Sequence, residues 1–283
     1  MTGPATPGPP GGPAGIDGSG TARARCVLAP NPSPMTLDGT NTWLIAEPGG
    51  TEAVVVDPGP DDEGHLRRVR SVAQQNGLRI AGIILTHGHS DHAAGARSLA
   101  AATGAGVRAV DRAHRLGSEG LPPGSVVATG GTEIEVIATP GHTIDSVCLY
   151  LRADEAVLTG DTVLGRGTTV IAPDGSLGDY LRSLDQLRAL ADSTELTALL
   201  PGHGPLLADP RAVLDFYAAH RAERLDQIRA ALAAGDRTAP QIVARVYADV
   251  DRHLWPAAEL SVLAQLGYLA DRGELPPGVS AGG

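Results

Sequence analysis

Seven side chains that can bind a divalent metal ion recur along the chain, each close behind an apolar run. They are His87, His89, Asp91, His92, His142, Asp161 and His203. Imidazole and carboxylate groups are zinc ligands, and a catalytic zinc ion keeps one position open for water. Seven donors suit about two such ions, so the set predicts a dinuclear site that hydrolyses its substrate with metal-bound hydroxide.

Four of the seven donors lie within the segment 86–92, directly after an apolar run. In an extended chain alternate side chains share a face, which places His87, His89 and Asp91 on one side. His92 has the opposite parity, so we expect it to reach a second ion where the chain turns into a helix. The other three donors each have a glycine beside them. This pattern predicts donors that meet in loops at the edge of a sheet.

These motifs resemble those of the metallo-β-lactamase superfamily. The resemblance implies that one ion is held by His87, His89 and His142, the second by Asp91, His92 and His203, with Asp161 bridging them. It also implies that Asp57 orients the ligand loop. Asp91 is expected both to bind metal and to orient the attacking water or accept its proton. Antibiotic-degrading branches have Cys or Ser in place of Asp161, which favours a general hydrolase over a β-lactamase.

Donor type favours Zn²⁺ at both positions, although imidazole with carboxylate also suits iron or manganese. A regulator with purely structural zinc is disfavoured, because such sites are closed and usually rich in cysteine. The two cysteines, Cys26 and Cys148, each lie in an apolar run and are expected to be buried free thiols. With no signal peptide and no apolar run of membrane-spanning length, we expect a cytoplasmic protein without a membrane partner.

The order of apolar runs and helical patterns predicts an α/β fold, an αββα sandwich. Strands are expected at 24–29, 41–46, 53–57, 80–85, 107–110, 134–138, 146–151, 156–159 and 197–200, and helices at 61–76, 93–103 and 177–191. Residues 21–208 then form the catalytic domain, with the metallo-β-lactamase fold that the resemblance also implies. Gly130 and Gly131 are expected in a hairpin turn. Residues 1–20, twelve of them Gly or Pro, predict a disordered tail.

From residue 209 onward the pattern is helical, with helices expected at 210–234, 242–248 and 256–272. The three helices resemble the winged-helix-like cap of one subgroup, that of the endoribonuclease β-lactamase-like protein two. The segment 31–42 and the pair His220 and Arg221 strengthen this likeness. Residues 209–283 are therefore predicted to form a helical cap over the cleft. Their eight arginines against ten acidic residues argue against specific DNA binding.

Two substrate classes stay open. The subgroup resemblance implies a phosphodiesterase that acts on single-stranded RNA, whereas the net charge of −10 and the 3% of aromatic residues argue against a nucleic-acid surface. The alternative is a thioesterase or lactonase that acts on a small acyl substrate.

His220 and Arg221 are interpreted as one face of a long helix or, alternatively, as substrate contacts. The remaining histidines, His65, His114 and His253, are expected at the surface.

Overall fold

A computed structural model describes residues 15–280 of the 283-residue chain. Most of the predicted disordered tail, residues 1–14, lies outside the described residues, as do residues 281–283. Within residues 15–20, Ile16 lies against the apolar core, and Asp17 Oδ1 accepts a hydrogen bond from the backbone N–H of Leu28 at 2.9 Å. The disordered tail stays a prediction.

Two five-stranded sheets form the centre of the molecule. The first contains, side by side, β1 (Ala24–Leu28), β2 (Asn41–Ala46), β3 (Glu52–Val56), β4 (Arg79–Ile84) and β5 (Gly106–Arg108). The second contains, in spatial order, β10 (Ala198–Pro201), β9 (Ala156–Gly160), β8 (Val147–Leu151), β7 (Thr132–Ala138) and β6 (Val126–Thr129). The pairs β3–β4, β4–β5 and β9–β10 are parallel and the others are antiparallel. Both sheets are therefore mixed.

Three apolar layers hold the sheets and helices together. Trp43 and Val56 of the first sheet meet Leu149 and Leu158 of the second in the layer between the sheets. Helices α1 (Glu63–Gln75), α2 (Ser90–Ala93) and α3 (Ala96–Thr103) follow strands of the first sheet, and α4 (Leu177–Ser193) precedes β10. The helices α1 and α3 bury their apolar sides on the first sheet, and α4 buries its own on the second. The predicted αββα sandwich is confirmed.

The described chain beyond β10 is helical, with α5 (Pro210–Ala233), α6 (Ala239–Val246) and α7 (Trp255–Asp271). The side chain of Asp209 caps α5, and Thr238 with Gln241 forms a capping box at the start of α6. Both arrangements satisfy N–H groups that would otherwise lack a partner in the first turn. All three helices share one apolar cluster with α4 and the second sheet. The predicted C-terminal helical cap is confirmed, and it is packed against the sandwich.

Two elements differ from the sequence-based expectation. The single helix predicted at 93–103 is divided into α2 and α3 at Gly95, whose N–H donates to Gly59 O at 2.9 Å. A Cβ atom at Gly95 would lie only 2.9 Å from Pro60 O, so the close approach of two backbones interrupts the helix. Strand β6 is an additional element, joined to β7 through the predicted turn at Gly130 and Gly131.

Two further expectations concern the whole chain. Cys26 and Cys148 are both buried and free, as predicted. Burial raises the pKa of the Cys148 thiol to about 11, so the thiol stays protonated at neutral pH. Within residues 15–280, no helix has both the length and the apolar character that crossing a bilayer would need.

Candidate metal centre

The seven predicted donors come together at one edge of the sandwich, where four strands end. Strand β4 leads into the segment 86–92, and β7, β9 and β10 lead to His142, Asp161 and His203. Five of the seven side chains are almost fully enclosed, whereas His89 and Asp91 are partly exposed. The cluster is therefore anchored in the protein and open to solvent on one side. Their role as metal ligands stays a prediction, and the distances between their donor atoms show whether they could hold a metal ion.

The first group of donors consists of three histidines. His89 Nδ1 lies 3.0 Å from both His87 Nε2 and His142 Nε2. His142 Nδ1 donates to Val170 O at 2.6 Å, so His142 Nε2 carries a lone pair that faces the other two nitrogens. Tetrahedral Zn–N bonds would separate such nitrogens by roughly 3.3 Å. The group is thus compact enough to hold one ion.

The second group contains Asp91, His92 and His203. His203 Nε2 lies 3.1 Å from His92 Nε2 and 3.2 Å from Asp91 Oδ2. The opposite ring nitrogens are used elsewhere, because His92 Nδ1 donates to Asp57 at 2.9 Å and His203 Nδ1 donates to Gly39 O at 3.1 Å. Both Nε2 atoms therefore face a common position, and each becomes a lone-pair donor when its proton is lost on metal binding.

Asp161 lies between the two groups. Its Oδ1 is 3.4 Å from His92 Nε2, and its Oδ2 is 3.7 Å from His142 Nε2 and 3.5 Å from His203 Nε2. Oδ1 is buried and has no hydrogen-bond partner, which is costly for a carboxylate oxygen unless a cation meets it. Gly202 permits this approach, because a Cβ there would lie 2.6 Å from Oδ1. The donor set fits a pair of metal ions bridged by Asp161.

The charges in the cluster shift one another's pKa values. Burial acts to raise the pKa of Asp161, but the charges of His203 and His92 outweigh it and hold that pKa well below its usual range. Burial acts to lower the pKa of His203, but Asp161, with a further hydrogen bond to Asp91, raises it to about 9. For His87, burial and the neighbouring charge of His92 lower the pKa well below 6.5. Asp161 is therefore ionised and His87 neutral, the forms that bind metal.

Comparison with known proteins agrees with this geometry. Residues 35–203 match the sequence profile of the Metallo-beta-lactamase superfamily. The chain belongs to the metallo-beta-lactamase superfamily. Residues 238–274 match the Beta-lactamase associated winged helix domain, which confirms the predicted resemblance of the cap.

Relatives of this superfamily member cover most of its length. A Beta-lactamase-like protein 2 homolog of Drosophila melanogaster is 30% identical over 276 residues, 90% of each chain. A homolog of that name in Caenorhabditis elegans is 33% identical over 232 residues, 79% of this chain and 76% of its own. A metallo-beta-lactamase family protein from Thermus thermophilus has the same fold, with a TM-score of 0.72 at 23% identity, covering 88% of this chain and 94% of its own.

Asp57, predicted from the family motif, forms hydrogen bonds that orient candidate ligands of both groups in this metallo-beta-lactamase fold. Its Oδ2 accepts hydrogen bonds from Thr86 Oγ1 at 2.6 Å and from His92 Nδ1 at 2.9 Å, and its Oδ1 accepts one from the Thr86 N–H at 2.8 Å. Thr86 Oγ1 in turn lies 3.0 Å from His87 Nδ1. One buried carboxylate thus fixes His92 directly and His87 through Thr86.

Sequence reasoning missed two residues that hold the ligand loops. Asn41 Nδ2 donates to Pro201 O at 2.9 Å and to Gly204 O at 2.8 Å, which clamps the turn that carries His203. In the sequence, the signal for Asn41 is an amide side chain at the start of a mostly apolar strand, and in the structure that amide is fully buried. Tyr217 on α5 accepts a hydrogen bond from the N–H of Leu164 at 2.8 Å. Nothing in the sequence singles it out, because a tyrosine on the apolar side of a helix is ordinary.

The other histidines have different outcomes. His65 was predicted to lie at the surface, and this is wrong, because the residue is only 2% exposed. Its Nε2 forms a hydrogen bond with Thr42 Oγ1 at 2.9 Å. Burial, with a nearby arginine, lowers the pKa of His65 to about 4. His253 is exposed as predicted, and His114 is half-buried. His220 lies half-buried on α5, the predicted long helix.

Proposed function

We propose that this metal-dependent hydrolase cleaves small acyl substrates, namely esters, thioesters or lactones. The observation that supports the proposal is a cavity of about 290 Å³ that begins at the donors His142 and Asp161 and extends beneath the cap. The volume is close to the lower limit for small-molecule sites. A polynucleotide strand would need a groove with a charged floor along its backbone.

The walls of this cavity are mainly apolar. Apolar side chains come from the loop before β2, from the loop after Asp161 and from the cap: Met35, Leu37, Leu164, Val170, Val250, Leu254, Ala257 and Ala258. An aliphatic acyl chain buried there is stabilised by about 0.8 kcal/mol per CH₂ group. The acyl chain would occupy the cavity, and its carbonyl group would then lie beside the metal donors.

The metal ions, when bound, lower the pKa of water and polarise the substrate carbonyl, and the donor set favours zinc for this role. The chain itself contributes a proton acceptor, Asp91, whose side chain is 29% exposed. Burial acts to raise the pKa of Asp91, but the hydrogen bond with His203 and the charge of His92 outweigh it and lower that pKa. Asp91 is therefore ionised at neutral pH and can take a proton from the attacking water.

Phosphodiester hydrolysis of single-stranded RNA is the second candidate. It is favoured by three arginines in the cavity lining, Arg166, Arg221 and Arg224, because guanidinium groups bind phosphate. The net charge of −10 opposes it, and Tyr247 is the single Phe, Trp or Tyr residue of the lining. A strand of RNA would find few surfaces on which its bases can stack.

A substrate panel on zinc-loaded, full-length protein tests the proposal. The panel contains p-nitrophenyl hexanoate, an N-acetylcysteamine hexanoyl thioester, caprolactone, bis-p-nitrophenyl phosphate and a single-stranded oligoribonucleotide. We expect turnover of acyl substrates that is lost in the Asp161→Ala variant and after chelation. Cleavage of the oligoribonucleotide with no turnover of any acyl substrate would reject the acyl proposal in favour of the second candidate.

A further inference from the structure

Arg221 is the one arginine among the 22 of the chain that is buried, with 5% of its surface exposed. All the arginines fall within residues 15–280, and no carboxylate in that range lies within 4.0 Å of the Arg221 guanidinium. The side chain lines the cavity that begins at His142 and Asp161. A buried cation without a counter-charge is among the more costly groups that a protein can enclose. Arg221 therefore needs an explanation outside the ordinary packing of α5.

Its contacts within the protein satisfy it in part. Nη2 donates a hydrogen bond to Thr169 O, and the guanidinium carbon lies 4.8 Å from the centre of the Tyr180 ring. The Nε–H, however, is buried and has no hydrogen-bond partner. Neither a carbonyl oxygen nor an aromatic face carries a full negative charge.

A second unpartnered donor lies beside it. His220 Nε2 accepts a hydrogen bond from Arg224 Nε at 3.4 Å, which leaves the ring proton on Nδ1. His220 Nδ1 is buried without a partner, and His220 lines the same cavity. Burial and the charges of Arg221 and Arg224 lower the pKa of His220 to about 4, so the ring is a neutral N–H donor at physiological pH.

We propose that Arg221 and His220 bind an anionic oxygen group, a carboxylate or a phosphate, carried by the substrate on the acyl side of its scissile bond. The inference deepens the proposed acyl-hydrolase function and depends on it. The metal donors His142 and Asp161 and the side chains of His220 and Arg221 line the same cavity, together with apolar side chains. Such a lining fits a short acyl chain that carries a carbonyl group near the metal donors and a negative charge near Arg221 and His220.

A purely positioning role makes a different prediction. Arg221 bonds to Thr169, the hydroxyl of Thr169 donates to Asp161 O at 2.7 Å, and the next carbonyl, that of Val170, accepts from His142. If Arg221 serves only to hold this loop, its loss weakens turnover of neutral and charged substrates equally. If it binds the anion, the loss is confined to charged substrates.

Three p-nitrophenyl esters of matched chain length separate these possibilities on the zinc-loaded, full-length protein. They are those of hexanoic acid, of adipic acid with one free carboxylate, and of phosphonohexanoic acid. In Arg221→Gln we expect the ratio of kcat/KM for a charged ester over the neutral ester to fall by about 10- to 100-fold, mainly through KM. Arg221→Lys should recover part of that ratio, because it retains the charge.

The matched control is Arg211→Gln, since Arg211 lies on the same helix, pairs with Asp192 at 2.7 Å and is not among the residues that line the cavity. This variant should leave the ratio within about threefold of wild type. Equal losses for neutral and charged esters in Arg221→Gln, or a wild-type enzyme with no preference for either charged ester, would overturn the proposal. The carboxylate and phosphonate arms show which anion the site prefers.

A binding measurement without turnover keeps the inference testable if none of the esters is cleaved, a result that would reject the acyl function itself. Anilinonaphthalene sulfonate is an anionic apolar dye, and phenylnaphthylamine is its neutral counterpart. We expect Arg221→Gln to weaken binding of the sulfonate dye by about tenfold or more and to leave the neutral dye and the metal content unchanged. Equal affinity of the sulfonate dye for wild type and variant contradicts anion binding.

Discussion

Replacement of Asp57 by asparagine tests how the metal donors are oriented. Asp57 is buried and has a backbone φ of 51°, a left-handed conformation that asparagine also adopts without much strain. Asp57→Asn therefore keeps the shape of the side chain and removes its charge. The oxygen of the new amide can still accept from the Thr86 N–H, but its NH₂ group then faces His92 Nδ1. This favours the tautomer with a proton on Nε2, the atom that faces the second metal position.

The expected loss follows from the bonds that change. A hydrogen bond to a charged group contributes roughly 1.5–3 kcal/mol and a neutral one about 1 kcal/mol, so loss of the charge on the His92 bond alone removes about 0.5–2 kcal/mol. Each 1.4 kcal/mol corresponds to about tenfold in affinity. Including the tautomer change, we expect the ion held by Asp91, His92 and His203 to bind about 10- to 100-fold more weakly. The ion at the three histidines should be affected less, because Asp57 reaches His87 only through Thr86.

Metal content per chain, measured by mass spectrometry after dialysis against graded chelator, checks this expectation. Wild type should lose its two ions over similar chelator concentrations, whereas Asp57→Asn should pass through a plateau near one ion. Asp154→Asn is the matched control, since Asp154 is a buried carboxylate that bonds to Arg23 at 2.6 Å, at the opposite end of β9. If Asp57→Asn retains both ions as tightly as the control does, the orienting role of this carboxylate is refuted.

Three further predictions concern the bridge, pH and the cap. Asp161→Ala should leave fewer than two ions per chain and reduce turnover by about 100-fold or more, and unchanged turnover would exclude a bridged pair. The pKa of His65, lowered from 6.5 to about 4 in the folded protein, means that protons bind preferentially to the unfolded chain, so stability should fall by up to about 3 kcal/mol as pH drops from 6.5 to 4. When the free energy of unfolding is measured by urea denaturation at several pH values, this pH-dependent loss should be absent from His65→Gln. Tyr217→Phe should lower the free energy of unfolding by about 1–3 kcal/mol, because it leaves the N–H of Leu164 buried and unpaired. The hydroxyl of Tyr247 has no hydrogen bond within residues 15–280, so Tyr247→Phe should change stability little.

The sequence predicted the placement of the donors because each one obeys a local rule. His142, Asp161 and His203 each follow an apolar strand and a glycine, so a reader of the chain can assign them to the end of a strand without knowing the sheet order. Strand alternation then predicts that His87, His89 and Asp91 share a face, and the facing nitrogens of the two histidines lie 3.0 Å apart. For Asp91 the prediction is wrong, because Ser90–Ala93 is helical and Asp91 Oδ2 lies 3.2 Å from His203 Nε2 in the other group. Only the family resemblance divided the donors into two groups, since spacing alone does not.

The missed features depend on contacts that local patterns do not record. His65 reads as a polar residue near the start of a helix, and its burial depends on Thr42 of a strand 23 positions earlier. The break between α2 and α3 depends on the backbone of Gly59 passing close to Gly95. Strand β6 is four residues long and partly exposed, too short for alternation to identify it. For His65 and for the helix break, the deciding partner lies far along the chain.

The loop after Asp161 links the cap to the metal donors, although the sequence patterns predict the two as separate units. Tyr217 binds this loop at Leu164, and Arg221, one turn further along α5, binds it at Thr169. These contacts span about fifty positions, so no motif spacing reveals them. Because the hydroxyl of Thr169 bonds to the backbone of Asp161, two hydrogen bonds connect Arg221 on α5 to a candidate metal donor. The same backbone segment therefore contributes to both the cavity and the candidate metal centre.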